Sequence, residues 1–161
     1  MLTKTSISAI RALLLLAGQR NREPWSPRRL AETLDESPTY MAKVVRHLVK
    51  VGILRAHHGA KGGVLLAREP AKIPLRDIVE ACQGAIVGDY CQSSPGRRPP
   101  CTFHRASLEL HQAITSVLDR WTLAALLAEP FSGNELCLMA GVPKPTLIRD
   151  IPGPGSTRPP A

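Results

Sequence analysis

Two cysteines and a histidine in the second half of the chain are the side chains best suited to redox or metal chemistry. The stretch YCQSSPGRRPPCTFH places Cys91 and Cys101 at the ends of a loop rich in proline and arginine, and His104 follows the second cysteine by three residues. Thiolates and imidazoles are ligands of iron–sulfur clusters, and thiols near arginine are prone to oxidation. In a protein without a disulfide scaffold, such a cysteine pair is more typical of a catalytic, sensory or metal-binding role than of a structural one.

Three interpretations of this loop stay open on chemical grounds. Cys91, Cys101 and His104 can hold three positions of a [2Fe-2S] cluster, with the fourth ligand coming from His111, Cys137 or a partner subunit. The two cysteines can instead form a reversible disulfide that senses oxidant. In the third interpretation the thiols are idle. Structural zinc is disfavoured, because nine residues separate the cysteines whereas zinc modules use short paired spacings.

Composition predicts one globular core and no membrane association. Of the 161 residues, 43% are hydrophobic and 21% are charged, which is typical of a folded domain rather than a disordered chain. The apolar run from Ala12 to Ala17 is too short to span a bilayer, and no small-residue cleavage pattern of an export signal follows it. We therefore expect a cytoplasmic protein.

The positive charge is confined to the first part of the chain. Residues 1–68 contain 12 Lys and Arg against four acidic residues, which accounts for the entire formal net charge of +8, and residues 69–161 contain nine of each sign. A basic excess in one segment is typical of a surface that binds nucleic acid.

Start and stop signals divide this basic segment into three helices. The first runs from Thr5 to Gly18; Ser26 followed by Pro27 begins the second, and Ser37 followed by Pro38 begins the third, which ends at Gly52. The inward face of the third helix is predicted to consist of Met41, Val44, Val45, Leu48 and Val51. Two helices joined by a short polar break form a helix-turn-helix, whose second helix enters the major groove of double-stranded DNA.

A short hairpin is predicted directly after the third helix. Ile53 to His57 and Val64 to Ala67 form two strands around the turn GAKGG, and such a hairpin is the wing of a winged helix. The side chains predicted to contact DNA are Arg28, Thr39, Tyr40, Lys43, Arg46, His47, Lys50, His58 and Lys61. None is acidic, whereas a merely solvated helix face normally mixes both signs.

The sequence after the hairpin predicts two further helices and a tail. Ile73 to Cys82 forms a short amphipathic helix, and a helix of about 19 residues begins at Thr102. Its seam is predicted to consist of Phe103, Leu110, Ile114, Val117 and Trp121. Such a seam packs on its own domain or pairs two subunits, and its length favours a homodimer. The predicted domains are therefore 1–70 for DNA binding, 71–128 for the sensor loop and dimerisation helix, and 129–161 for a poorly ordered tail.

The order of these segments resembles a known family. MLTKTSISAIRALLLLA, SPTYMAKVVRHLVKVGIL, HHGAKGGVLLAREP, IPLRDIVEACQG and CTFHRA follow one another as in the Rrf2 type of bacterial transcription regulator, over residues 1 to about 128. The resemblance implies a homodimeric winged helix-turn-helix with a long C-terminal dimerisation helix, bound to a palindromic operator. It also implies that loop cysteines hold an iron–sulfur cluster in the cluster-bearing members.

The match in the loop is partial. Cys91 and Cys101 correspond to the first and last loop cysteines of the cluster-binding members, and His104 corresponds to a histidine found there. Ser93 and Ser94 stand near the missing middle cysteine, and Ile7 replaces an acidic residue that some members supply.

The match in the DNA-binding segment is closer. Thr39, Tyr40 and Lys43 occupy base-facing positions, and His58 replaces the arginine usual before the wing. A thiol oxidoreductase is the rival from another class, but the chain has no CxxC at a helix start. A DNA binder without sequence preference is disfavoured by the hydrogen-bonding side chains of the third helix. A regulator, not an enzyme, is therefore expected.

Overall fold

Six α-helices and one hairpin make up the part of the chain that the computed structural model describes, residues 2–19, 21, 23–59, 62–86 and 101–128. They are α1 (Lys4–Ala17), α2 (Pro27–Leu34), α3 (Pro38–Lys50), β1 (Leu54–His57), β2 (Gly63–Leu66), a 3-10 turn (Pro70–Lys72), α4 (Leu75–Gln83), α5 (Thr102–Arg120) and α6 (Leu123–Ala128). The predicted class, mainly helical with a small β-hairpin wing, is confirmed. Lys61, Cys91 and the predicted tail lie outside the described residues.

Local capping explains where the helices begin. Thr3 and Ser6 form a reciprocal capping box at the start of α1, in which each hydroxyl accepts the backbone N–H of the other residue, at 3.2 and 3.0 Å. The hydroxyl of Ser26 accepts the N–H of Arg29 at 3.2 Å, and Pro27 occupies the first turn of α2. These contacts satisfy N–H groups that a helix start leaves without an intrahelical partner.

Left-handed residues end the two helices of the helix-turn-helix. Asp35 caps α2 with φ 54°, and Gly52 follows α3 with φ 70°. Glycine adopts this region without the steric penalty that a Cβ causes. The predicted stop at Gly52 is therefore confirmed, and the chain turns directly from α3 into β1.

The core surrounds α1. Leu13 and Leu14 of α1 are buried together with Leu30 of α2 and Leu48 of α3. Full burial of one such side chain stabilises the fold by about 1.5–3 kcal/mol. Because α1 packs on α2, α3, α4, α6 and β2, it is the element against which the DNA-binding helices are positioned.

One predicted core position is wrong in detail. Val51 is 46% exposed, because α3 ends at Lys50 and Val51 is its C-terminal cap. The helical spacing of Val51 was read correctly, but the helix ends one residue before it, so its side chain is not covered. In α1, Ile7 is half-buried, whereas its neighbours Ser6 and Ser8 are buried.

A short helix that the sequence analysis did not identify closes the described fold. The N–H of Leu75 donates to the carbonyl of Trp121 at 2.8 Å, and the N–H of Leu123 donates to the carbonyl of Ile73 at 2.9 Å. These bonds return the chain from α5 to the core, where Leu123 and Leu127 of α6 are buried. Within the described residues, no helix combines the length and apolarity needed to cross a membrane.

Candidate DNA-binding surface and sensor loop

The outer face of α3 presents a row of polar and basic side chains. Lys43, Arg46, His47 and Lys50 are exposed and share one side of the helix, and Thr39 is exposed one turn earlier. The opposite side packs into the core through Met41, Val44, Val45 and Leu48. A rigid base of this kind holds the exposed groups in a fixed spacing, as contacts with base edges require.

Tyr40 lies at the edge of this face and is half-buried. Its ring packs against the core, its hydroxyl lies 3.3 Å from Oγ1 of Thr5, and the Nζ of Lys4 lies 5.5 Å from the ring centroid. The side chain thus joins α3 to the N-terminal turns of α1. Its predicted contact with DNA stays a prediction, and its packing shows a second role in positioning α3.

A buried polar cluster holds the turn between α2 and α3. The hydroxyl of Ser8, on α1, donates to Oε1 of Glu36 at 2.6 Å, and Nη1 of Arg11 lies 3.9 Å from the same oxygen. The side chain of Glu36 is only 8% exposed. Breaking a buried charge pair leaves an uncompensated charge, so this cluster anchors the turn between α2 and α3 to α1.

The wing is an antiparallel hairpin in which Leu54 pairs with Leu66 and His57 with Gly63. His57 and His58 are exposed along its approach. The predicted wing is therefore confirmed as a structural element.

Trp25 docks the wing onto the start of α2. Its backbone N–H donates to Val64 at 3.2 Å and its carbonyl accepts from Val64 at 2.9 Å. A Cβ on Gly63 would lie 2.5 Å from the carbonyl carbon of Trp25, so only glycine allows this approach. The sequence analysis did not find this docking, because nothing in the local pattern links residues so far apart.

Two arginines at the start of α2 border the same surface. Arg28 is exposed and pairs with Glu32 at 2.9 Å, an ion pair that costs little to break in water. The guanidinium of Arg29 lies 4.0 Å from the ring centroid of Trp25. Arg29 therefore contacts the residue that docks the wing, and Arg28 is an exposed cation whose contact with DNA stays a prediction.

The second cysteine of the loop caps the long helix. The Sγ of Cys101 accepts the backbone N–H of His104 at 3.4 Å, and the thiol is exposed. His104 is half-buried in the first turn of α5. Positions three residues apart share a side of a helix, so these two predicted ligands lie at the same end of α5. Cys91 lies outside the described residues, and in the described part no three potential ligands form a metal site.

Cys82 and His111 are less suited to this site than Cys101 and His104. Burial raises the pKa of the Cys82 thiol to about 11, which suits the core thiol predicted from its helical face. His111 is half-buried two turns beyond His104, about 10 Å along the axis at about 1.5 Å per residue. Metal–ligand bonds are about 2 Å long, so His111 is poorly placed to share a site with Cys101.

The exposed apolar side chains of α5 lie at heptad spacing. Phe103, Leu110 and Val117 are 68%, 61% and 46% exposed. Ala106 and Ala113 are exposed between them, a pair that the heptad spacing could have identified from the sequence. Ile114 and Trp121, also predicted in the seam, are half-buried.

An ionic link connects α4, α5 and the start of the loop before α5. Nε of Arg76 lies 3.3 Å from Oε1 of Glu80, and its Nη1 lies 3.2 Å from Oδ2 of Asp119. The same Glu80 oxygen accepts the N–H of Ile86 at 3.2 Å. The hydrogen bond and charge of Glu80, followed by those of Asp119, raise the pKa of Arg76.

The fold and its basic helix define a winged helix-turn-helix DNA-binding protein. A sequence model of the Rrf2 family, described as "Iron-dependent Transcriptional regulator", matches residues 2–129. The chain therefore belongs to the Rrf2 family of transcriptional regulators. It is a regulator and not an enzyme, which excludes the thiol oxidoreductase considered above.

Individual relatives agree with this assignment. The HTH-type transcriptional regulator NsrR of Geobacillus kaustophilus is 30% identical over 139 residues, which cover 84% of this chain and 95% of that protein. The solved structure of CymR, the global cysteine regulator of B. subtilis, is 25% identical with a TM-score of 0.64, covering 78% of this chain and 95% of the other. The solved structure of T. potens IscR is 25% identical with a TM-score of 0.63, covering 79% of this chain and 85% of the other.

Proposed function

We propose that this regulator acts in the cytoplasm as a homodimer that binds a palindromic operator and responds to redox, iron–sulfur or nitric-oxide status through the loop containing Cys91 and Cys101. The observation that carries the DNA-binding part is the acid-free exposed row Lys43, Arg46, His47 and Lys50 on a helix seated in the core. In this arrangement α3 enters the major groove, and the contacts predicted for His58 and Lys61 are with the phosphate backbone of the DNA.

The dimer is proposed from the exposed apolar side of α5. Large apolar side chains at heptad spacing cost free energy in water and are typically covered by a partner helix. Phe103, Leu110 and Val117 lie on a side of α5 that the rest of the described chain leaves open. A second copy, related by a two-fold axis, covers this side with the same residues and gives the spacing of half-sites that a palindrome requires.

The sensing part rests on the position of Cys101 at the start of α5, three residues before His104. Two thiolates and an imidazole fit the donor chemistry of a [2Fe-2S] cluster, so Cys91, Cys101 and His104 would hold it, with a fourth ligand from Cys137 or the partner subunit. When bound, such a cluster supplies a reversible one-electron change. Cys101 joins the cofactor site directly to the proposed dimer helix.

A second candidate is the same regulator with a reversible Cys91–Cys101 disulfide. The exposure of the Cys101 thiol favours it, since redox-sensing cysteines are accessible to oxidant. A regulator without any cofactor is the third possibility. The two sensing modes predict different products: one yields bound iron and sulfide, and the other yields the loss of two thiols.

Visible absorption of protein reconstituted anaerobically with iron and sulfide tests the proposal. We expect charge-transfer bands that disappear in Cys91→Ala and Cys101→Ala and change shape in His104→Ala. Cys82→Ala is the matched control, because Cys82 is a half-buried thiol of α4 outside the site. Absence of iron and sulfide in the wild type, with oxidant-dependent loss of two thiols, would instead establish the disulfide.

A further inference from the structure

A cleft between the end of α1 and the wing is lined by two residues that carry unpaired, buried nitrogen atoms. It encloses about 300 Å³ and is lined by Leu16 of α1, by Gln19 just after that helix, and by Leu65, Leu66 and Arg68 from β2 and the segment after it. Within the described residues, Nε of Arg68 and Nε2 of Gln19 are buried and have no hydrogen-bond partner. Buried donors are nearly always paired, so these two nitrogen atoms are candidates to donate hydrogen bonds to a ligand.

The charge of the cleft favours an anion. The Nη1 of Arg68 donates to Oδ2 of Asp77 at 2.7 Å, which restrains the guanidinium, while its Nε has no partner among the described residues. Arg55 adds a second cation to the lining. Glu69 also lines the cleft, but it is largely exposed and pairs with Lys72 at 3.1 Å. Asp77 offsets the charge of Arg68 and Lys72 offsets that of Glu69, so Arg55 leaves the lining with a net positive charge.

We propose that this cleft binds a small aliphatic carboxylate. Its two oxygens accept hydrogen bonds from Arg68 Nε and Gln19 Nε2, and its hydrocarbon part lies against Leu16, Leu65 and Leu66. The volume is at the lower end of the range for ligand pockets, so the ligand is small. Because Leu65 and Leu66 belong to β2, an occupied cleft joins the wing to α1 and restrains the hairpin that borders the DNA-binding surface. The inference does not depend on the proposed sensor loop.

Titration of the full chain with sodium hexanoate at constant ionic strength, followed by NMR of the backbone amides of Leu65, Leu66 and Arg68, tests the inference. We expect saturable shifts in the wild type. Arg68→Met and Gln19→Leu should each weaken the apparent affinity by tenfold or more. Lys72→Met is the matched control, because it removes an exposed cation that does not line the cleft, and it should bind hexanoate as well as the wild type does.

A neutral probe separates carboxylate recognition from an apolar crevice. 1-Hexanol has a similar hydrocarbon chain without the charge, and we expect it to bind at least tenfold more weakly than hexanoate. Equal binding of the two probes, shifts that do not saturate, or unchanged affinity in Gln19→Leu would each overturn the inference. The Gln19 variant keeps the test decisive if Arg68→Met does not fold, since it leaves the Arg68–Asp77 pair intact.

Discussion

Nη1 of Arg76 and Oδ2 of Asp119 lie 3.2 Å apart and join α4 to α5 across the end of the long helix. Through Glu80, the same arginine is connected to the N–H of Ile86, where the chain leaves α4 toward the cysteine loop. This link therefore connects three parts of the proposed switch: the loop, the dimer helix and the helix that packs on the DNA-binding core.

Asp119→Asn should uncouple the loop from DNA binding. Allosteric coupling is typically about 1–3 kcal/mol, or roughly 5- to 150-fold in affinity. We expect the ratio of operator affinities between oxidised and reduced protein to fall toward one, measured by fluorescence anisotropy. Stability should change little, because the ion pair lies at the surface, where solvent screens it. Lys72→Gln, which breaks the exposed Glu69–Lys72 pair, is the control, and an unchanged ratio in Asp119→Asn would refute the coupling.

Lys43→Ala should reduce sequence preference, because Lys43 is exposed in the centre of the α3 row. Loss of a base contact costs about 1–3 kcal/mol on the preferred operator and less on random DNA. Lys61→Ala, at the predicted tip of the wing, should weaken binding to the operator and to random DNA nearly equally. It should also reduce the slope of log affinity against log salt concentration by about one, as expected for the loss of a phosphate contact. Gel-shift titrations at several salt concentrations separate the two effects, with Lys72→Ala as a control. If neither variant changes binding, α3 does not lie in the major groove as proposed.

Leu110→Asp should produce a folded monomer. Leu110 is 61% exposed within its own chain, so the charge costs little until a second helix covers it. In a two-fold interface the carboxylate is buried twice without a partner, which strongly opposes association. Light scattering should show half the mass with an unchanged far-ultraviolet circular dichroism signal. Gln112→Asp adds the same charge on a different side of α5 and should remain dimeric. A dimeric Leu110→Asp would place the interface elsewhere.

Gly63→Ala should destabilise the wing, since its new Cβ would meet the Trp25 backbone at 2.5 Å. Overpacking of this kind typically costs about 1–3 kcal/mol, which urea denaturation can measure. Operator affinity should fall as well, because the docking of the wing is displaced. Ala56→Ser adds one atom on an exposed position of the facing strand and should leave both properties unchanged. Wild-type stability in Gly63→Ala would mean that the Trp25–Val64 contact is dispensable.

Cys82 should resist alkylation at neutral and mildly alkaline pH. Only the thiolate reacts, and burial raises the pKa of Cys82 to about 11, so the neutral thiol dominates up to that pH. The exposed Cys101 should be modified first by iodoacetamide at pH 8, as judged by peptide mass spectrometry. The rate at Cys82 should rise as the pH approaches 11 or when urea unfolds the chain. Equal native rates at pH 8 would show that Cys82 is more accessible than its burial indicates.

Local signals in the sequence determined the elements and the family. Ser26 with Pro27 and the left-handed Gly52 specify a helix start and a stop through local geometry, and the structure confirms them. The third helix also begins at Pro38 as predicted, although the side chain of Ser37 makes no capping hydrogen bond. The basic row of α3 could also be predicted, because helical periodicity alone separates it from the buried side. The residues of the cysteine loop could be identified by chemistry, although Cys91 lies outside the described residues.

Tertiary structure decided which residues meet across long separations in the chain. The docking of Trp25 on Val64, the link from Arg76 to Asp119 and the cleft between Gln19 and Arg68 have no local pattern, because each depends on how helices pack. The same packing buries Ser8 against Glu36 and places the hydroxyl of Tyr40 beside Thr5. Both polar contacts join residues far apart in the chain, so the apolar periodicity of a single helix does not predict them. Sequence periodicity tells which side of a helix is covered, whereas only the packed chain determines what covers it.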